Sequence, residues 1–155
     1  MPTYKEQKIL PYTSVQMFDL VMDVEKYPEF LPWCLDCRIQ KRGEGFLVAS
    51  LVIGYKLLRE WFTSRVDYKG PDLIKVRYVS GPLKHLSNVW KFKDNGDGSS
   101  TIDFYVEFEF KNIIFDKVLA VFFNDMVHKM VDAFVKRAED LYGAQGTGIF
   151  VGIDE

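Results

Sequence analysis

The stretch TIDFYVEFEFKNIIFDKVLAVFF, residues 101–123, joins a strand pattern directly to a helix pattern. The segment before it, DNGDGSS at 94–100, has the Asn, Asp and Gly residues of a tight hairpin turn. In residues 101–110, polar side chains alternate with an apolar set that shares one face: Ile102, Phe104, Val106, Phe108 and Phe110. This alternation predicts an antiparallel strand with one buried face, which another element must cover.

The helix pattern that follows is the obvious cover for this face. It runs from about Asn112 to Tyr142, roughly thirty residues or about 45 Å at 1.5 Å per residue. Steps of three and four residues predict one apolar stripe, made of Phe115, Leu119, Phe122, Met126, Met130, Ala133, Phe134, Ala138 and Leu141. The opposite side carries Asp125, His128, Lys129, Asp132, Lys136 and Asp140. Residues 113–123 are apolar nearly all round, so this half is either buried on two sides or faces something apolar other than the sheet.

The rest of the chain predicts a single α+β domain. A strand at 3–10 precedes a helix at 13–24, for which Thr13 or Ser14 is a suitable N-cap. Prolines 28 and 32 limit the next segment to short helical turns. From residue 36 strands alternate with turns, and Gly54 is expected to interrupt the pattern between 46–53 and 57–68. Consecutive strands joined by short turns are antiparallel. We therefore predict about seven antiparallel strands in a curved sheet that wraps round the long C-terminal helix, with two short helices between the first two strands.

The domain is expected to span residues 1–143, with Gly143 as the C-cap of the last helix and a flexible tail at 144–155. A net charge of −2 argues against DNA or another nucleic acid held by a long-range field. No secretory signal is recognisable in the first 15 residues, and the longest uncharged apolar run, 46–54, is too short to span a bilayer. With only two cysteines, these features predict a cytoplasmic setting, or a peripheral one at the inner membrane.

Aromatic residues make up 15% of the chain, and 13 of them are Phe. One interpretation is a Phe-rich core. The other is a lined cavity, because a twisted sheet cannot follow a straight helix along its whole length, and ligand pockets are mostly apolar and aromatic.

The pair Cys34 and Cys37, in PEFLPWCLDC at 28–37, raises the question of a redox or metal site. A zinc site needs about four ligands, and only His85 and His128 remain to complete it. A thioredoxin-type pair lies at a helix N-terminus, whereas this pair leaves a helical turn and enters a strand. We therefore expect no metal site, with Cys34 as a small buried filler and Cys37 on or near a strand.

No catalytic residue is predicted. His85 follows a Gly-Pro turn and is expected to be exposed unless it lies at the mouth of a pocket, and Glu107 and Glu109 lie on the polar face of their strand. The chain has no phosphate-binding Gly-rich loop, His-Glu-x-x-His or Gly-x-Ser-x-Gly motif.

Three motifs carry a family resemblance: YPEFLPWC at 27–34, GPLKHLSNVWKF at 81–92, and the FEF strand at 108–110 that leads into a Phe-rich helix. Together, over about residues 3–142, they resemble the START-like helix-grip superfamily and its coenzyme-Q-binding branch. That branch is grouped with polyketide cyclase-like proteins and with the bacterial ribosome-association toxin. The resemblance implies a non-enzymatic carrier or chaperone that binds ubiquinone or a similar lipid, with transient membrane contact, in support of respiratory electron transport. It leaves two alternatives open: a toxin that acts on the ribosome, and a cyclase-like enzyme that depends on His85.

A bound lipid gives candidate roles to eleven residues. Phe30, Leu31 and Trp33 are expected at the pocket mouth, and Asn88, beside Trp90, is an inward-facing amide that a quinone carbonyl can satisfy. The expected tail site consists of Phe104, Val106, Phe115, Leu119, Phe122 and Met126. The same residues are equally compatible with a plain core. The PEFLPW bend and the first half of the last helix are the candidate gate.

Overall fold

The computed structural model describes residues 2–55 and 58–150. It confirms the predicted α+β fold: one antiparallel sheet, two short helices after the first strand, and a long C-terminal helix. The elements are β1 (Thr3–Leu10), α1 (Ser14–Met22), a 3₁₀ helix (Val24–Glu29), β2 (Cys34–Gly43), β3 (Phe46–Tyr55), β4 (Leu58–Lys69), β5 (Leu73–Ser80), β6 (Leu83–Asp94), β7 (Ser100–Phe110) and α2 (Ile113–Phe150).

The strand order across the sheet is β1-β7-β6-β5-β4-β3-β2. Strands β2 to β7 therefore form a continuous meander, and β1 closes it by pairing with β7, so that Thr3 lies opposite Glu107. Since β1 and β2 lie at opposite edges, α1 and the 3₁₀ helix connect one side of the sheet to the other.

Side chains at both helix starts satisfy backbone amides that lack a partner in the helix. Thr13 is the N-cap of α1 in a reciprocal capping box: the Gln16 amide donates to Thr13 Oγ1 (3.1 Å), and the Thr13 amide donates to Gln16 Oε1 (2.9 Å). At the start of α2, Asn112 Oδ1 accepts from the amides of Ile114 (2.9 Å) and Phe115 (3.2 Å).

Two strand boundaries differ from the prediction. Gly54 does not interrupt β3; it lies within the strand, where a Cβ would approach Leu35 Cδ1 to 2.5 Å. The absence of a side chain at Gly54 leaves room for the flexible, exposed end of Leu35 rather than forming a turn. Strand β6 begins at Leu83, so that His85, which was expected to follow a Gly-Pro turn, lies within the strand; Gly81, with φ of 137°, completes the turn before Leu83. Residue 57, predicted to begin the next strand, lies outside the described residues.

Helix α2 continues past Gly143 to Phe150, so Gly143 is not its C-cap. Residues 151–155 of the predicted tail lie outside the described residues, and the division of the chain at residue 143 stays a prediction.

The buried stripe of α2 is rotated from the predicted one. The sequence prediction was right for Leu119, Phe134 and Ala138, but wrong for Phe115, Phe122 and Leu141, which are exposed. The side chains that pack inward in their place are Phe123, Val127 and Val131. Because residues 113–123 are apolar on nearly every side, their spacing alone fits two different buried faces.

Candidate ligand-binding cavity

An apolar cavity of about 230 Å³ lies between the sheet and the helices. Its floor is the inward face of five neighbouring strands. The floor residues from β3, β4 and β5 are Ala49, Leu51, Ile53, Phe62, Ser64, Val66, Ile74 and Val76, and those from β6 and β7 are Leu83, Leu86, Asn88, Trp90, Phe104, Val106, Phe108 and Phe110. Alternation along the strands puts every second residue on this floor. The exception is in β6, where a register shift between Leu83 and His85 makes the step from Leu83 to Leu86 three residues.

Helical segments and the bend complete the enclosure. The residues that line it from this side are Val21, Val24, Tyr27, Leu31, Met130 and Phe134. Phe134 anchors this side, since its ring lies 5.0 Å from the Trp90 ring and 5.4 Å from the Tyr27 ring, both edge-on. Edge-to-face ring contacts of this kind fix side chains in place beyond simple burial.

Among the described lining residues, Tyr27, Asn88 and Ser64 carry hydroxyl or amide groups, and two of these three side chains are already paired. The Tyr27 hydroxyl donates to the Val21 carbonyl, and burial raises its pKa, so it remains protonated. Asn88 Nδ2 donates to the Tyr105 carbonyl (2.8 Å), and Asn88 Oδ1 accepts from Trp90 Nε1 (3.0 Å). The expected need of Asn88 for a partner is therefore met within the protein. The third polar residue is Ser64.

No carboxylate, amine, guanidinium, imidazole or thiol lines the cavity among the described residues. A charged group placed there would lose its hydration without gaining a counter-ion, which is costly. The cavity therefore suits an uncharged, largely apolar molecule.

The structure brings five of the eleven predicted ligand residues together on the cavity wall: Leu31, Asn88, Trp90, Phe104 and Val106. The others lie elsewhere. Phe30 packs behind the wall against Phe134 (5.4 Å), and Trp33 is half-buried at the start of β2, with a left-handed φ of 67°. On α2, Leu119 is buried and Met126 half-buried without lining the cavity, whereas Phe115 and Phe122 are exposed. Ligand contact by these residues stays a prediction.

Sequence reasoning missed the largest part of the wall, which β3, β4 and β5 supply. The signal was the period-two alternation itself, because Leu51, Phe62 and Val76 each lie on the inward set of their strand. Since β3 is apolar on both faces, its alternation gives no contrast between inward and outward positions.

Both cysteines lie on β2, which follows the bend. Cys37 is buried, whereas Cys34 is only half-buried and donates weakly to the Asp36 carbonyl (3.8 Å). Burial raises the pKa of Cys34 to about 11 and that of Cys37 to about 12. Thiols of this kind react slowly because the thiolate is the nucleophile. Across residues 2–55 and 58–150, no cluster of three or more His, Cys, Asp or Glu side chains is arranged to hold a metal ion.

The polar residues weighed for catalysis lie on the outer face of the sheet, away from the cavity. His85 Nε2 lies 3.2 Å from Glu107 Oε2, and the Tyr105 hydroxyl also donates to Glu107. Glu109 lies 4.0 Å from Lys84 Nζ. This cluster shares no space with the apolar interior.

One end of the cavity lies beside an exposed apolar surface. Strand register places Ile53, Phe62, Leu83 and Phe110 at the end of the sheet where α2 begins, and the Phe110 ring contacts Phe115 at 6.2 Å. From there, α2 exposes Ile113 (69%), Ile114 (71%), Val118 (47%), Val121 (75%) and Phe122 (46%), together called the apolar flank below. Within the described part of the chain, no helix combines the length and hydropathy needed to cross a membrane.

Known proteins share this sequence and fold. The chain is 36% identical to the ribosome association toxin RatA of Rickettsia prowazekii, over 91% of this chain and 99% of the relative. It is 34% identical to the mitochondrial coenzyme Q-binding protein COQ10 homolog B of Xenopus laevis, over 92% of this chain but 60% of that protein. The crystal structure of the Zhui aromatase/cyclase from Streptomyces sp. R1128 superposes with a TM-score of 0.80 at 15% identity, over 94% of this chain and 98% of that one, which shows a shared fold.

A family model agrees with these similarities and with the motifs at 27–34 and 81–92. The model for polyketide cyclase/dehydrase and lipid transport proteins matches residues 10–135, which include both motifs, the bend and most of α2. The chain belongs to this polyketide cyclase/dehydrase and lipid transport family, which confirms the START-like resemblance.

Proposed function

We propose that the protein binds a polyprenyl quinone, ubiquinone or a similar uncharged lipid, in the cavity and carries it without chemical change in support of respiratory electron transport. The observation that carries this proposal is the apolar cavity of about 230 Å³ with no charged side chain among its described lining residues. The 34% identity to a coenzyme Q-binding protein supports the choice of a quinone over other neutral lipids.

The cavity volume limits how much of such a lipid is enclosed. An apolar cavity of roughly 150 Å³ is enough to admit benzene, so 230 Å³ holds a ring-sized group and a short piece of hydrocarbon. Each methylene-sized group that leaves water contributes about 0.8 kcal/mol. A long tail exceeds the enclosed space, and its remainder lies outside.

The apolar flank of α2 offers a place for that remainder. It begins beside the cavity end at Phe110 and exposes large apolar side chains to solvent. Exposed apolar patches of this kind mark contact with another protein or with a membrane. The lipid enters and leaves at this end, while the protein rests transiently on the cytoplasmic side of the inner membrane.

Mass spectrometry tests the proposal on protein purified without detergent. Electrospray from native buffer should show a second species heavier by the mass of a neutral prenyl lipid, and organic extraction should recover that lipid. If the protein carries no lipid and takes up none when ubiquinone with a short prenyl tail is added, the proposal fails.

The second candidate is an interaction with the ribosome, which the 36% identity to a ribosome association toxin favours. The surface supports it less. Three arginines on the outer face of the sheet are paired with carboxylates: Arg38 with Asp36 (3.2 Å), and both Arg65 (3.0 Å) and Arg77 (2.9 Å) with Asp67. Paired arginines attract a phosphate backbone less than free ones do. Co-sedimentation with ribosomal subunits at moderate salt, reduced by Arg38→Glu, would establish this function, and absence of co-sedimentation at low salt would exclude it.

A further inference from the structure

We infer that Ser64 is the hydrogen-bonding anchor of the cavity and that the bound lipid carries a neutral carbonyl oxygen to meet it. This inference rests on the proposed function and specifies the head group. Ser64 lies on β4 between Phe62 and Val66, lines the cavity and is only 2% exposed.

The Ser64 hydroxyl has no hydrogen-bond partner among residues 2–55 and 58–150, since no side-chain bond in that part of the chain involves it. Buried polar groups are nearly always paired, so an unpaired one that faces a cavity needs an explanation. The neighbouring strand provides a contrast. Ser50 on β3 is similarly buried (6%) but faces the other side of the sheet, where its hydroxyl is paired with Thr63 Oγ1 (2.7 Å) and accepts from Gln40 Nε2 (3.3 Å).

The surroundings of Ser64 leave room for a head group. Its partner on β3 is Ala49, which has the smallest side chain on the cavity wall, and both residues face inward. A short hydroxyl beside a methyl group forms a shallow recess in a floor that is otherwise built from large apolar side chains.

The hydrogen-bond donors that remain unused on the cavity wall indicate which head group the ligand carries. The Ser64 hydroxyl is free to donate, and the Asn88 amide retains one N–H beyond the bond to the Tyr105 carbonyl. Both groups therefore suit an acceptor oxygen such as a ring carbonyl. A carboxylate or phosphate head is excluded because no cationic side chain lines the described wall. The expected ligand is a neutral quinone or ketone lipid rather than a fatty acid or phospholipid.

The test measures affinity for two probes with the same two-isoprene tail: ubiquinone, and a geranyl-substituted benzene without ring oxygens. Wild type should bind the quinone more tightly. Ser64→Ala should weaken quinone binding by about three- to tenfold, the usual value of one hydrogen bond, and leave the hydrocarbon unchanged. Ser50→Ala should leave both affinities unchanged.

Thermal unfolding of the ligand-free variants provides an independent readout. Ser64→Ala should leave the melting temperature nearly unchanged because the Ser64 hydroxyl has no protein partner to lose, whereas Ser50→Ala should lower it because it breaks the Thr63 bond. Equal quinone binding by wild type and Ser64→Ala would contradict the role of Ser64 as the hydrogen-bonding anchor, without contradicting lipid binding by the cavity. Wild type that binds neither probe would overturn both the anchor and the proposed function.

Discussion

The two halves of α2 differ in the chemistry of the surface that they expose to solvent. From Ile113 to Phe122 the outer side is the apolar flank, with Val121 75% exposed and the charged Lys117 exposed among the apolar residues. From Asp125 to Asp140 the same side carries polar residues in pairs four residues apart: Lys129 with Asp125 (3.3 Å), His128 with Asp132 (3.4 Å) and Lys136 with Asp140 (2.7 Å). Only the second half has the outer surface of an ordinary solvated helix.

The two halves also differ in their attachment to the rest of the protein. The second half is held at several points: Phe134 packs in a ring cluster with Tyr27 and Phe30, Arg137 bonds Glu29 (3.1 Å), and the Tyr142 hydroxyl donates to the Gln16 carbonyl (3.3 Å).

The first half has fewer attachments, and they lie at its inner side. The Phe110 amide donates to Asp116 Oδ1 (3.1 Å), and Phe108 contacts Phe123 (5.1 Å between ring centroids). The comparison shows that the second half of α2 is the one held to the rest of the fold, whereas the first half exposes apolar side chains beside the cavity. We propose this exposed part as the surface for lipid exchange.

The largest expected effect is a difference in stability between two variants of α2, one at a buried residue of the second half and one at an exposed residue of the first half. Phe134→Ala should lower the free energy of unfolding by about 3–5 kcal/mol because it removes a buried ring and leaves a cavity. Phe122→Ala should change it by less than about 0.5 kcal/mol. Urea titration followed by circular dichroism measures both, and equal losses would contradict the assignment of buried and exposed faces.

The cysteines test whether the bend that packs against the second half stays closed. With pKa values of about 11 and 12 instead of 9.0, Cys34 and Cys37 hold little thiolate at pH 8. Alkylation by iodoacetamide at pH 8 should be about 100-fold slower in the folded protein than in urea, and it should accelerate as pH rises towards 11. Equal rates in the folded and unfolded protein would mean that the bend opens readily.

A variant with two introduced carboxylates tests the apolar flank directly. The double variant Val118→Glu/Val121→Glu should reduce binding to neutral phosphatidylcholine vesicles by at least about tenfold, because two apolar contacts become charged, while stability stays near that of wild type. The matched control is Lys129→Gln/Lys136→Gln on the same side of the second half, which makes the same change of −2 in net charge and should leave vesicle binding unchanged. If both double variants bind the vesicles equally well, the two halves of α2 do not differ in membrane binding.

The smallest expected effect concerns the ion pair between Glu29 and Arg137. The hydrogen bond from Arg137 lowers the pKa of Glu29, so this pair stabilises the fold above the unfolded pKa of a glutamate and loses its contribution as pH falls through the lowered folded pKa. Glu29→Gln should therefore shift the urea midpoint slightly at pH 7, and the shift should vanish in acid. A shift that persists at pH 2 would rule out the carboxylate as its source.

The sequence predicted the fold well because its signals are local. Alternation in 101–110, the Asn-Gly hairpin at 95–96 and the prolines of the bend each act on neighbouring residues, and all are confirmed in the structure. The rotation of α2 was predicted less well. Phe122 and Phe123 are chemically identical, and only their contact with β7 decides that Phe123 packs inward.

The contacts in the candidate site could not be predicted because they depend on how neighbouring strands pair. The spacing of residues along the sequence does not reveal this pairing. Asn88 was correctly placed on the inward face, but its two protein partners, Trp90 and the Tyr105 carbonyl, depend on the register of β6 with β7. Ser64 carried no signal in the sequence, since a serine that alternates with Phe62 and Val66 is an ordinary strand residue until the cavity in front of it is seen.

Fluorescence of Trp90 tests the central claim most directly, because this ring lies on the cavity wall. In the variant Trp33→Phe/Trp61→Phe, Trp90 is the remaining tryptophan, and addition of ubiquinone with a two-isoprene tail should quench its emission saturably at one quinone per protein. In Trp90→Phe, which keeps the two tryptophans outside the cavity, quenching should be weak and linear. Linear quenching in both variants would show that the quinone does not occupy the space between the sheet and α2.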